Sequence, residues 1–344
     1  MNGKEIGALI RRNNNYAPAA ERYDAMEYRR AGKSGLKLSA LSFGMWHNFG
    51  SLDSYENMRD MVFTAFDSGI TVFDIANNYG PAAGAAEKNF GSILKNDLHG
   101  YRDELVITTK AGYGAWRGPY GSGNGGRKHL IASLDRSLQN LGVDYVDIFY
   151  HHRPDPDTPI EETCQAMQQI VESGKALYIG ISNYNCEQTK AAVACYRALR
   201  VPFVLTQMPY SILDRTIETG GIKAFAHEQG FAVTAYSPLA QGLLTDKYLH
   251  GIPEDSRMSK DMFLKQSVLT PELQKKLLAL NEVAARRGQT LAEMAIAWLL
   301  NRPGVTSALI GASRPEQIRD VVAGLANLDF TEAELARIEA ILAE

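Results

Sequence analysis

The chain has 344 residues, of which 45% are hydrophobic, enough for a sizeable core in one large domain or two small ones. Its 36 Lys and Arg nearly balance its 39 Asp and Glu, which excludes the strong positive field of a dedicated nucleic-acid binder. Cys164, Cys186 and Cys195 are odd in number and lack CxxC spacing, against both a disulfide framework and a cysteine-rich metal site, so a reducing, cytoplasmic setting is expected.

In chain order, residues 1–25 read as a loosely ordered tail without a signal-peptide core, and residues 26–344 as one domain. Apolar runs are of strand length and interrupted, so no membrane span is expected. Glu27 to Arg30 and Leu36 to Leu38 flank the turn-rich Gly32-Lys33-Ser34-Gly35, which predicts a β-hairpin. Strand candidates then recur at Leu38 to Gly44, Thr71 to Ala76, Leu105 to Lys110, Val146 to His151, Ala176 to Ser182, Phe203 to Met208, Phe231 to Tyr236 and Ser307 to Gly311. Between them apolar residues fall at helical spacing, as in Met58, Met61, Val62, Ala65 and Phe66, or Ile131, Leu134, Leu138 and Leu141. Eight alternations without a compositional break predict an α/β fold, a single (β/α)₈ TIM barrel, with an open doubly wound sheet as the alternative. The polar stretches from Gly112 to Arg127 and from about Ser237 to Thr270 follow strands and are expected as long loops at the carboxyl-terminal face, where such barrels place active sites.

Three strands end in polar residues that burial would penalise: Asp74, Lys110 and the His151-His152 pair. Asp74 and Lys110 are expected to neutralise one another, a pairing that serves catalysis or structure equally well. Tyr79 sits five positions beyond Asp74 in the turn Asn77-Asn78-Tyr79-Gly80-Pro81. By itself it reads as a packing residue. Beside Lys110 its phenol would have a lowered pKa and act as a general acid. Either histidine has the chemistry to polarise a carbonyl, but alternation on a strand lets only one face the barrel mouth.

At these residues the sequence resembles the aldo-keto reductases from about Met26 onward. The resemblance implies a catalytic tetrad of Asp74, Tyr79, Lys110 and His152, the histidine being chosen because it directly precedes Arg153-Pro154 and follows Asp147 by five positions. It further implies NADPH-dependent reduction of a small carbonyl substrate without a metal. Ser182, Asn183 and Gln207 match groups that bind the nicotinamide carboxamide, and Tyr236 the aromatic that stacks on the ring. Ser237, Leu239, Gln241 and Lys247 match loop positions around the diphosphate, Ser256 and Arg257 the adenosine end, and Gly311, Ser313, Gln317 and Asp320 the last cofactor-binding loop and helix. Val321 stands where related proteins often carry an asparagine near the adenine. Arg257 and Ser313 favour NADP over NAD, since a guanidinium can recognise the additional phosphate.

Met45-Trp46-His47-Asn48 and Ala240-Gln241-Gly242-Leu243-Leu244 are similar to a bacterial subgroup that reduces L-glyceraldehyde 3-phosphate and is related to potassium-channel β subunits. That similarity implies a homo-oligomer, and an alternative role as a cofactor-sensing regulatory subunit. The channel subunits carry asparagine at the histidine position, whereas His152 supports catalysis here. Trp46, also placed at the cofactor, and Trp116 are read as pocket walls or core residues. Arg153 is read as steering an anionic substrate or capping the strand end.

Overall fold

A computed structural model describes residues 16–254, 256, 258–259 and 264–344. The hairpin forms as β1 (Tyr28–Arg30) and β2 (Lys37–Ser39), antiparallel with Arg29 opposite Leu38. Gly32 in its turn has a φ of 59°, and a Cβ there would lie 2.1 Å from the Gly230 carbonyl oxygen, so the close approach requires glycine.

Eight parallel strands follow: β3 (Leu41–Gly44), β4 (Val72–Asp74), β5 (Val106–Ala111), β6 (Val146–His151), β7 (Ala176–Ser182), β8 (Phe203–Pro209), β9 (Ala232–Tyr236) and β10 (Ser307–Ile310). β10 pairs with both β9 and β3, so the sheet closes and the open-sheet alternative falls. The expected strand from Leu38 to Gly44 is divided between hairpin and barrel. At the division, Ala40 donates its N–H to Glu27 in the hairpin and accepts from Ala308 in the barrel, so one residue serves two separate sheets.

Ala31, Leu36 and Leu38 pack with Val72, Val106, Ile148, Val204, Leu205 and Ala232, which lie toward the amino-terminal ends of the strands. The hairpin thus closes that end with apolar side chains, and the chemistry is confined to the other.

The helices are α1 (Tyr55–Asp67), α2 (Ala85–Ile93), α3 (Arg127–Leu141), α4 (Ile160–Glu172), α5 (Cys186–Ala198), α6 (Thr216–Thr219), α7 (Ile222–Gln229), α8 (Pro271–Arg286), α9 (Leu291–Leu300), α10 (Pro315–Ala323) and α11 (Glu332–Ala343). Those following the strands bury the faces that their apolar spacing marks, for example Met58, Met61, Val62, Ala65 and Phe66 of α1. Part of the anticipated tail is structured. Tyr16 stacks on Phe63 of α1 at 3.8 Å and donates to Asp67 at 2.7 Å, because an aromatic ring and a matched acceptor offset the cost of ordering the segment. No helix among the described residues is long and apolar enough to cross a membrane.

Inside the barrel, Tyr150 of β6 lies opposite Gly180 of β7 and supports Lys110, whose Nζ is 5.6 Å from the Tyr150 ring centre. A Cβ on Gly180 would approach that ring to 2.6 Å. Gly180→Ala is therefore expected to lower unfolding free energy by about 1–3 kcal/mol, the usual cost of overpacking. Urea denaturation should show a reduced midpoint at constant slope, and an unchanged midpoint would contradict the tight packing.

Candidate active site

The polar residues at the carboxyl ends of the strands converge because alternation brings particular positions inward. On β5, Thr108 and Lys110 face the barrel axis while Thr109 points outward and donates to Glu87 of α2 at 2.7 Å. Lys110 is fully buried and Asp74 is 2% exposed. The Lys110 ammonium forms an ion pair with Asp74 Oδ1 and donates to the Ile75 carbonyl at 2.9 Å. Asp74 Oδ2 accepts from Thr108 Oγ1 and from Gln207 Nε2, each at 2.8 Å. Both carboxylate oxygens are thus engaged, as a buried charge requires. Desolvation lowers the Lys110 pKa, while Asp74 pulls it back up.

Tyr79 lies above this pair, with Lys110 Nζ 5.0 Å from its ring centre and its hydroxyl 3.5 Å from His152 Nε2. The ring keeps some solvent access, but its hydroxyl end is enclosed. The expectation that Lys110 lowers the phenol pKa is corrected: desolvation raises it well above 10, and the Asp74 carboxylate adds to the rise. Tyr79 therefore holds its proton at neutral pH, as a proton donor must.

His152 and His151 diverge as alternation requires. His152 meets Tyr79 and the edge of Tyr113, with ring centres 5.7 and 4.7 Å away. His151 turns outward, where its Nδ1 lies 2.5 Å from the Tyr184 hydroxyl. Desolvation depresses the pKa of both, with His151 lowered to about 4, so both imidazoles are neutral at pH 7. Nδ1 of His152 is buried without a hydrogen-bond partner among the described residues. An unmet N–H there would cost more than a bare lone pair, which places the ring hydrogen on Nε2, facing Tyr79.

Beside the tetrad, the Tyr236 hydroxyl donates to Asn183 Oδ1 at 2.7 Å, and Asn183 Nδ2 donates to the His152 carbonyl at 2.9 Å and to Ser182 Oγ at 3.1 Å. Among the described residues the Ser182 hydroxyl hydrogen and the second Asn183 Oδ1 lone pair are left over, a donor and an acceptor that fit a carboxamide. Gln207 sits in the same cluster with its amide nitrogen committed to Asp74. Ser237 and Gln241 have φ of 51° and 59° in the turns after β9, where Leu239 is partly buried, and Lys247 is exposed in a short 3-10 turn.

At the last loop, Gly311 and Ser313 are exposed, and Asp320 is exposed on α10. Asn48 and Asn57 fasten this loop by donating to the Ala312 and Ser313 carbonyls, each at 2.9 Å. The Ser313 N–H donates to Gln317 Oε1 at 2.8 Å, which pins the loop to the first turn of α10. Ser256 is buried and accepts from the Ser259 N–H, whereas Arg257 lies outside the described residues.

Trp46 is 41% exposed, with its ring centre 6.4 Å from that of Tyr79, so it borders the mouth. Trp116 instead lies between His129 and Arg136 of α3, stacked at 5.2 Å on the first and 4.4 Å under the second. Sequence reasoning missed Thr108 and Tyr113. Thr108 was recoverable, because it shares the inward face of β5 with Lys110. Tyr113 lies in a loop whose course no periodicity reveals.

A buried ammonium–carboxylate pair beneath a phenol and a neutral imidazole, at the open end of a closed barrel, is an arrangement suited to a carbonyl oxidoreductase. The chain belongs to the aldo/keto reductase family, whose profile matches residues 40–343. It is 51% identical over 328 residues to an L-glyceraldehyde 3-phosphate reductase of Escherichia coli (strain K12), covering 94% of each chain. It is 38% identical over 301 residues to a probable voltage-gated potassium channel subunit beta of Arabidopsis thaliana, covering 86% of this chain and 90% of the relative. Among solved structures it resembles a thermostable aldo-keto reductase crystallised with the inhibitor epalrestat, with a TM-score of 0.73, 28% identity, and coverage of 92% of this chain and all of the other. The protein is thus an oxidoreductase that acts on carbonyl groups.

Two outcomes follow from the buried charges. Asp74→Ala strands an unpaired ammonium and should cost about 3–5 kcal/mol of stability in chemical denaturation; a loss within error of zero would mean that Lys110 is not held as described. Because His151 titrates near 4 when folded and near 6.5 when unfolded, the unfolded chain binds the extra proton between those values. Stability should therefore fall as pH drops through that window, by about 3 kcal/mol from this residue. Urea titrations at several pH values should give a shallower dependence for His151→Phe, and identical slopes would remove His151 as the source.

Proposed function

We propose that this enzyme uses NADPH to reduce small aldehydes of the glyceraldehyde 3-phosphate or methylglyoxal type, with Tyr79 as the general acid. The single observation carrying this reading is the Tyr79 hydroxyl, proton-bearing and 3.5 Å from His152 Nε2 above the buried Lys110–Asp74 pair. The name of the Escherichia coli relative supports the substrate type.

The nicotinamide, when bound, supplies hydride to the carbonyl carbon. The donor and acceptor left at Ser182 and Asn183 suit its carboxamide, the Tyr236 ring suits stacking, and the exposed Gly311–Ser313 loop suits the adenosine half together with Ser256 and Arg257. NADP is favoured because Arg257 would meet the additional phosphate. His152, with its hydrogen on Nε2, donates to the carbonyl oxygen and orients it toward the Tyr79 hydroxyl. Tyr79 gives up its proton as negative charge develops on that oxygen. The Lys110 ammonium then stabilises the phenolate, and Asp74 holds the ammonium in place. Trp46 walls the mouth. We place the protein in the cytoplasm as a homo-oligomer.

Tyr79→Phe should lower kcat by at least about a hundredfold, within the range expected for loss of a general acid, while NADPH still binds in a fluorescence titration. Undiminished turnover of short aldehydes in this variant would overturn the assignment. The regulatory alternative instead requires the wild type to turn over very slowly while forming a stable partner complex.

A further inference from the structure

We propose that Arg153 is the specificity-determining residue of the site and binds the phosphate of a phosphorylated aldehyde substrate. This rests on the reductase reading above and assigns the part of the substrate remote from the carbonyl.

Arg153 follows His152 directly and is exposed at the carboxyl face. Two contacts fix its side chain. Nε donates to the Gly112 carbonyl at 3.0 Å, and the guanidinium carbon lies 4.5 Å from the centre of the Tyr113 ring. Tyr113 in turn sets its edge against His152, at 4.7 Å between ring centres. The guanidinium is therefore joined through one aromatic ring to the imidazole that faces the reacting oxygen. An arginine held in this way loses less rotamer entropy on binding an anion than a free one.

Its charge is unspent. Among the described residues no carboxylate forms an ion pair with Arg153, although an acid stands only two positions further on. That acid, Asp155, is turned away: its carboxylate accepts from the Gly125 and Asp157 N–H groups and from Thr158 Oγ1. With Nε committed to Gly112, the two terminal nitrogens remain to grip an anion in the forked geometry that matches phosphate. The same positive charge helps to keep His152 neutral, so the field at this end of the site opposes a cation and favours an anion.

The test compares glyceraldehyde 3-phosphate with glyceraldehyde, which has the same carbon chain without the phosphate, as substrates of the wild type, Arg153→Gln and Arg153→Lys with NADPH. The ratio of kcat/KM for the phosphorylated to the unphosphorylated aldehyde should fall about 10–100-fold in Arg153→Gln, through KM for the phosphorylated substrate, and recover in part in Arg153→Lys. A ratio equal to that of the wild type, or a loss carried by kcat for both aldehydes alike, overturns the assignment. A wild type inert toward both aldehydes refutes the reductase reading instead. Calorimetric titration of the NADP-saturated protein with inorganic phosphate then decides Arg153: binding by the wild type that Arg153→Gln lacks supports it, and equal or absent binding refutes it.

Discussion

The ion pair between Lys110 and Asp74 is the constraint on which the rest of the site depends. Two charges removed from water are tolerable only if their remaining hydrogen-bonding capacity is met. Here Thr108, Gln207 and the Ile75 carbonyl meet it, drawing β4, β5 and β8 toward one point. Tyr79 rests above that point, with Lys110 Nζ 5.0 Å from its ring centre. Desolvation and the Asp74 carboxylate keep the proton on its hydroxyl at neutral pH.

Beneath the pair the barrel is a packed solid. Tyr150 fills the layer under Lys110 and can do so because Gly180 opposite offers no side chain. Farther down, the hairpin seals the amino-terminal end with Ala31, Leu36 and Leu38. At the opposite end lies the mouth, where Trp46 borders Tyr79, Tyr113 meets His152 and Tyr236 meets Asn183. Burial of Lys110 and Asp74 gives each hydrogen bond to the pair more effect than it would have in water.

The loops at the mouth are anchored to neighbouring secondary structure. Asn48 and Asn57 tie the first and last turns of the barrel together across its seam. The loop after β5 is held by Asp155, by Thr163 of α4, and by His129, whose Nδ1 lies 2.9 Å from the Tyr120 carbonyl. The same loop carries Tyr113, whose edge meets His152. Trp116 belongs to this anchoring, since its ring is committed to α3.

The sequence by itself determined the eightfold alternation, the hairpin, the long loops at one end and the polar strand ends at Asp74, Lys110 and the His151-His152 pair, beside which the family resemblance singled out Tyr79 and His152. Periodicity is local, and Asp74, Lys110 and His152 stand out because each is a polar residue terminating an apolar run. Closure was not local: it required β10 to meet β3 across more than two hundred and fifty residues of chain. Tertiary structure likewise decided that Ala40 divides its two hydrogen bonds between hairpin and barrel, that Gln317 occupies the Ser313 N–H, and that Tyr79 keeps a raised pKa. Each of these depends on which groups share a desolvated space, and proximity of that kind is created only when distant segments pack.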